Sequence, residues 1–255
     1  KKVEGLYGAG QFNGTSGYEE AAAQGLIAGL NAAMKLKDMP PFIPTRDQAY
    51  MGVLVDDLTT RGVDEPYRMM TSRAEYRLIL RQDNADLRLT PEGRRMGLVD
   101  DARWARFNAK AEESERLKTA LGHTYLKGAQ GLNELLKSQG EPQVEGSALA
   151  GDVLRRPSIA LKDLAALNPE LRSADAGAME QAEIAVKDEG YLTRQQQQID
   201  QFRRAEEALL PEDTDFMSIS GLRIEARQKL QRQRPRSLGQ ASRMMGVSPG
   251  DVQVL

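Results

Sequence analysis

The sequence predicts a mainly α protein, a helical C-terminal domain preceded by a single strand-loop-helix unit. Three observations carry the prediction. Only the opening, around Val3 to Ala9, joins an apolar strand-like run to a glycine-rich turn, and nothing later repeats that pattern. After Pro44 the chain changes character and offers one helical segment after another. Toward the end, apolar residues recur at helical spacing between charged and Gln residues.

In chain order, Val3 to Ala9 reads as a buried strand, followed by a glycine-rich turn and a helix from about Tyr18 to Lys37. Its Ala and Leu content favours helix, and Pro40-Pro41 stops it. A lone strand with one crossover helix has no sheet to join, so the unit needs partner strands that this chain lacks. Helices are expected near Gln48 to Thr60, Ser72 to Arg81, Pro91 to Met96, Ala102 to Leu121 and Leu132 to Ser138. Gly140 to Gly151, rich in Gly, Pro, Ser and small residues, is the expected linker. Beyond it lie Val153 to Arg156, Leu161 to Leu167 and a long helix from about Ala178 to Leu209, ended by Pro211. On that helix Leu192, Ile199, Phe202 and Leu209 mark one face of a helical bundle. Three short helices follow at Gly221 to Gln231, Ser237 to Met245 and Ser248 to Leu255, with Ser237 and Ser248 as N-caps.

Composition narrows the function. With 255 residues and 40% hydrophobic content, the chain can bury a core. Lys+Arg at 35 against Asp+Glu at 37 gives a net charge of -2, so a polyanion surface has to come from local segregation of charge. Cysteine is absent, which excludes disulfides, zinc-thiolate sites and a cysteine nucleophile in this chain. The lone His123 excludes a multi-histidine metal site and reads as a solvated loop residue. No catalytic or metal-ligating residue is assigned. No stretch has the apolar length of a membrane span, and Lys1-Lys2-Val3-Glu4-Gly5-Leu6 has no signal-peptide character, so a cytoplasmic location is expected.

Gly8-Ala9-Gly10-Gln11-Phe12-Asn13-Gly14 follows an apolar run and opens a helix, which points backbone N–H groups and the helix dipole toward an anion. A phosphate-binding loop and a tight turn needing glycine at positive φ are both compatible with it. The spacing departs from Gly-x-Gly-x-x-Gly, since Gly14 comes one residue late, and no acidic residue follows at the ribose position. The run from Ala9-Gly10-Gln11-Phe12-Asn13-Gly14-Thr15-Ser16-Gly17-Tyr18-Glu19-Glu20 through Ala33 is similar, almost residue for residue, to the second flavin-binding segment of the MnmG/GidA family. The resemblance implies that Gln11 touches FAD, supported by Gly10, Asn13 and Gly14. It also makes the opening unit a remnant of an FAD-binding α/β domain.

Between Pro66 and Met96 seven arginines face four acids, a local charge of +3. If Ser72 to Arg81 is helical, Arg73, Arg77 and Arg81 share one face, either as a ridge for successive phosphates or as a solvated face paired with Glu75 and Asp83. Tyr67 and Tyr76 are expected in the core rather than stacked on bases. Glu65-Pro66-Tyr67-Arg68-Met69, Thr71-Ser72-Arg73-Ala74-Glu75-Tyr76-Arg77 and Asp83-Asn84-Ala85-Asp86-Leu87-Arg88-Leu89-Thr90 resemble the same family. There, arginines matching Arg68 and Arg77 are implicated in holding tRNA, with Arg73 and Arg81 beside them.

From Gly221 to Arg243 seven basic residues face one acid, a local charge of +6 that favours a polyanion contact. Ser237 to Ser248, with Gly246 in the turn, has a helix-turn-helix look that is also common in any helical domain. By resemblance this is the module that docks the GTPase MnmE and borders the tRNA site, with Arg223, Arg227, Arg232 and Arg243 as its contacts. The resemblance further implies three segments. Residues 1–40 close an FAD-binding domain, 41–210 form a helical tRNA-binding domain and 211–255 form the docking module.

The implied parent is a homodimeric flavoenzyme that uses FAD, NADH and methylene-tetrahydrofolate, with MnmE, to add an aminomethyl-type group at C5 of the wobble uridine of certain tRNAs. Its main flavin loop, NADH insertion and catalytic cysteines would lie upstream of this chain, and family members continue past Leu255. The chain alone is then expected to be inactive. Three other readings stay open: the related folate- and flavin-dependent tRNA methyltransferases, against which residues 102–255 argue; a stand-alone RNA-binding helical module; and a dimerisation and docking scaffold.

Overall fold

The computed structural model describes residues 3–60 and 66–255. In order, its helices are α1 (Tyr18–Leu36), α2 (Tyr50–Thr60), α3 (Ala85–Arg95), α4 (Asp101–His123), α5 (Asn133–Ser138), α6 (Ala150–Leu154), α7 (Leu161–Leu167), α8 (Ala176–Lys187), α9 (Glu189–Glu207), α10 (Ile224–Gln233), α11 (Leu238–Arg243) and α12 (Pro249–Val254). Short strands β1 (Tyr125–Lys127) and β2 (Ser147–Leu149) pair antiparallel, with Leu126 opposite Ala148. The fold is thus mainly α, as its sequence predicts. The chain divides into two compact units, Lys1–Leu80 with Gln195–Leu255, and Arg81–Arg194.

The first unit has two small cores. Val53, Ala74, Tyr76, Leu80 and Ile199 form one; Phe216, Leu222, Ala226, Leu230, Ala241 and Met244 form the other. The stripe on α9 reaches the first of these through Ile199 and Phe202, whereas Leu209 lies past the helix end and is exposed. The N-caps Ser237 and Ser248 accept backbone N–H bonds from Gln240 and Asp251, satisfying donors that a helix start leaves orphaned. In the second unit, Leu117 and Leu121 of α4 pack with Leu132, Leu136, Leu154, Ile159, Leu164 and Leu171, and Asp100 and Asp175 cap α4 and α8.

Five local expectations are corrected. Residues 3–9 form no strand, because no neighbouring strand among the described residues supplies hydrogen bonds. Ser72 to Arg81 is not a helix: a 3-10 turn spans Thr71–Arg73, and then Ala74 and Tyr76 are buried on either side of exposed Glu75. That period of two is imposed by the core they enter, which overrides helix propensity. The helix expected from Pro91 begins six residues earlier at Ala85, and Pro91 sits inside it. The expected linker is structured, since Ser147–Leu149 pairs with β1 and Gly151 lets α6 abut α4, where a Cβ would meet the Leu121 carbonyl oxygen at 3.0 Å. The long helix is broken at Asp188 into α8 and α9, just before Glu189-Gly190, where glycine weakens propagation. His123 ends α4 and is exposed.

Candidate functional site

The glycine loop turns through a 3-10 segment, Gly10–Asn13, with Gly10 at φ 74° and Gly14 at φ 79°, a left-handed conformation that glycine adopts without strain. One buried side chain holds it. The Gln24 Oε1 of α1 accepts from the Gly10 N–H (3.2 Å) and Asn13 Nδ2 (2.7 Å), while its Nε2 donates to Thr15 Oγ1 (2.9 Å). Thr15 Oγ1 in turn donates to the Gly10 carbonyl (3.0 Å). Asn13, expected as a cofactor contact, therefore works as a strut inside the loop and also donates to the Gly8 carbonyl. Gln11 is exposed, and its side chain makes no hydrogen bond among the described residues. Phe12, next in the chain, and Tyr18, at the start of α1, are 97% and 92% exposed. Beside the loop opens a cleft of about 1080 Å³, lined by Tyr7, Asn13, Gln24, Asn31 and apolar residues of α1 and α2.

The loop is stitched to the arginine segment. Thr15 and Tyr67 form a parallel bridge in which the Tyr67 N–H donates to the Gly14 carbonyl (2.7 Å) and the Ser16 N–H to the Tyr67 carbonyl (3.3 Å). Glu20, buried in the first turn of α1, adds a third tie: its Oε1 accepts from the Met69 N–H (2.7 Å) and lies 3.4 Å from Arg68 Nε. The Met69 N–H holds the Glu20 carboxyl below its ordinary value against the burial that raises it. Gly17 leaves room for this carboxylate, since a Cβ there would fall 1.6 Å from Oε2.

Beneath the segment lies Arg46, which sequence reasoning missed. Its guanidinium is buried and bonds Asp57 (2.7 Å), Asp56 (2.9 Å), Glu75 (2.8 Å) and the Arg73 carbonyl (3.0 Å). Burial, the largest single influence, would discharge it, but the bonds to Glu75 and Asp57 prevail and hold it above its ordinary value. The Tyr67 hydroxyl donates to Asp57 (2.8 Å), and burial first, then that bond, pushes its ionisation up. Arg73 stacks over the Tyr67 ring at 4.6 Å. Tyr76 meets Phe202 edge-on at 5.8 Å, so both tyrosines belong to the interior as expected. No periodicity or motif marks Arg46; its partners are brought together only by folding.

The expected RNA contacts sort by exposure. Arg68 and Arg77 are exposed, and Arg77 has no ion pair among the described residues. Arg73 is partly withdrawn toward Asp57 and Tyr67, and Arg81, in the second unit, pairs with Asp83 at 3.1 Å. No helix aligns Arg73, Arg77 and Arg81. In the C-terminal module, Arg223 grips Asp251 (2.6 Å) and Arg227 donates to the Leu222 carbonyl, while Arg232 is exposed. Arg243 is turned inward, bonding Asp56 (2.8 Å) and Glu206 (2.5 Å), so it is a structural residue rather than a surface contact. Glu65 of the family motif lies outside the described residues. No cluster of metal-ligating side chains occurs among the described residues, and no helix is long and apolar enough to cross a membrane.

Comparison with known proteins decides the family. Three models match: Glucose inhibited division protein A over residues 1–40, the tRNA modifying enzyme MnmG/GidA C-terminal helical domain over 101–196, and the C-terminal helical bundle of the same enzyme over 198–255. The chain belongs to the MnmG/GidA family. Among its relatives is the tRNA uridine 5-carboxymethylaminomethyl modification enzyme MnmG of Caldicellulosiruptor saccharolyticus, 49% identical over 259 residues, covering 100% of this chain and 41% of the relative. The MnmG of Listeria welshimeri is 49% identical over 255 residues, covering 100% of this chain and 40% of the relative. A crystal structure of Aquifex aeolicus GidA, form II, superposes with a TM-score of 0.83 at 36% identity, over 100% of this chain and 40% of that one. The chain thus spans about two fifths of the length of the curated MnmG relatives it matches.

Proposed function

We propose that this chain is the tRNA-holding part of an FAD-dependent enzyme that, with the GTPase MnmE, modifies C5 of the wobble uridine of certain tRNAs in the cytoplasm. The observation that carries the reading is the stitching of the glycine loop to the segment bearing Arg68, through the Thr15–Tyr67 bridge and Glu20. It joins a cofactor-type loop and an exposed cation within one packed unit.

The loop suits a flavin nucleotide. Gly10 and Gly14 turn the backbone without strain, the Gln11 side chain is exposed, and the adjoining cleft has the size of a small-molecule site. Gln11 would hold the cofactor, with Gly10 and Gly14 shaping the loop and Asn13 bracing it. Bound FAD would supply redox equivalents, with NADH and methylene-tetrahydrofolate as co-substrates of the whole enzyme. This chain's own residues bind and position: Arg68 and Arg77 grip tRNA phosphates, while Arg46 and Glu20 keep their segment in place. Arg223, Arg227 and Arg232 form the basic face toward MnmE or tRNA. The second half of the reading is a homodimer in which residues 1–40, 41–210 and 211–255 serve the cofactor, the RNA and the partner.

Amide hydrogen exchange of this chain with and without a wobble-uridine tRNA tests the reading. It predicts that tRNA slows exchange at residues 66–77 and, through the bridge, at residues 10–16. Protection confined to other segments would contradict it.

A further inference from the structure

We infer that the N-terminal half of α4 carries a second RNA surface, built from the stacked rings of Trp104 and Phe107 and the guanidinium groups of Arg103 and Arg106, whose ligand is an unpaired stretch of RNA. The inference rests on the RNA-binding reading above but on different residues, in the second unit. Trp104 and Phe107 stand with ring centroids 5.2 Å apart and planes 25° from parallel. Both are only partly buried, and neither belongs to any of the three cores. They stack outside all three cores.

The charges beside them differ from the other cations of α4, Lys110, Arg116 and Lys118, each of which has an acidic partner. Along α3 and α4 the neighbouring cations have acids in reach: Arg94 with Asp101, Arg95 with Glu92 (2.8 Å), Lys110 with Asp86 (2.7 Å) and Arg116 with Glu113 (2.7 Å). Arg103 and Arg106 are exposed and have no ion pair among the described residues. On a helix, positions 103, 106 and 107 fall on one face, with 104 at its edge. Two uncompensated guanidinium groups beside a partly solvated aromatic stack suit a strand whose bases stack and whose phosphates pair with arginine. A duplex hides its base faces, so unpaired RNA is the better fit.

Trp104 is the chain's only tryptophan, so its emission reports this surface alone. The test titrates the chain with fluorescently end-labelled oligouridylate, reading label anisotropy for binding anywhere and Trp104 emission for binding here. The inference predicts quenching that saturates with the anisotropy change. In Arg103→Gln/Arg106→Gln, which keeps both rings and removes two phosphate contacts, the quenching titration should weaken about tenfold, and the log-log salt slope should fall by roughly 1.4, for two phosphates no longer neutralised on a single strand. Trp104→Phe, which keeps a ring, should retain the native anisotropy titration. Anisotropy change with Trp104 emission unmoved, or a double variant titrating like the native chain, would overturn this surface and leave the RNA-binding reading standing. No anisotropy change at all would also overturn this surface, and the RNA-binding reading would then rest on the tRNA titration of Arg68→Ala/Arg77→Ala.

Discussion

Replacing Arg46 with Met keeps much of the side-chain volume and removes the charge at the centre of the first unit's polar cluster. The group left in difficulty is Asp57, whose side chain is 1% exposed; Asp56 keeps its pair with Arg243, and Glu75, at 43%, can turn to water. Breaking a buried pair from one side costs about 3–5 kcal/mol, because the remaining charge stays desolvated. The Tyr67 hydroxyl still bonds Asp57 at 2.8 Å and Arg73 stands 3.8 Å away, which places the expected loss near the lower bound, about 3 kcal/mol. For a unit of this size that is a fall in melting temperature of about 10 °C. Far-UV circular dichroism during heating, with urea unfolding alongside, measures it. Asp57→Asn added to Arg46→Met removes the carboxylate charge that Arg46 had balanced, so the double variant should be more stable than the sum of the single losses by about 1 kcal/mol or more. A loss below about 1 kcal/mol for Arg46→Met, or strict additivity, would refute the claim that this cluster fixes the segment carrying Arg68 and Arg77.

Three further outcomes are expected. Gly52→Ala should destabilise by about 2 kcal/mol or more, since a Cβ there would lie 2.1 Å from the Thr45 carbonyl oxygen, whereas Gly25→Ala in open space on α1 should stabilise by about 0.5–1 kcal/mol; thermal melts of the pair decide it. Gln24→Leu should cost about 2 kcal/mol by leaving loop donors unpaired, and should speed amide exchange at Gly10, read by mass spectrometry. Bonds from Arg116 and Ser173 hold the Glu113 carboxyl at about 2, below its unfolded value of 4.5. The stability this contributes is fully present above about pH 4.5 and is lost as pH falls toward about 2, so Glu113→Gln should flatten that part of an acid-unfolding curve.

Much of the helical layout is legible in the sequence because it depends on neighbours along the chain. α1, α4, α7 and the caps at Ser237 and Ser248 follow from propensity and capping chemistry, and they stand within a residue or two of where they are expected. The segment after Met70 fails because Ala74 and Tyr76 answer to Val53 and Ile199, distant in sequence, and not to their own helix propensity. The supposed linker fails for a similar reason, since Ser147–Leu149 acquires its structure from residues 125–127. At the candidate site, the glycine loop and the exposed Arg68 and Arg77 are visible as residue types in a motif. Arg46 is not, and the motif that contains Gln24 and Glu20 does not disclose what they do, because these roles come from burial and from partners up to tens of residues away. Arg243 shows the converse: a basic-rich stretch advertises it as a surface charge, and Asp56 and Glu206 draw it inside.

The central claim is that the stitched segment beside the glycine loop holds tRNA. The most direct measurement is the affinity of this chain for a wobble-uridine tRNA and for a non-substrate tRNA across a salt series, with the native sequence and with Arg68→Ala/Arg77→Ala. The account predicts preferential binding that weakens as salt rises, and in the double variant a lower affinity with a salt slope smaller by roughly 1.4–1.8, for two phosphates no longer neutralised. Binding that is absent, or that the double variant leaves unchanged, would contradict it and assign tRNA recognition to other residues.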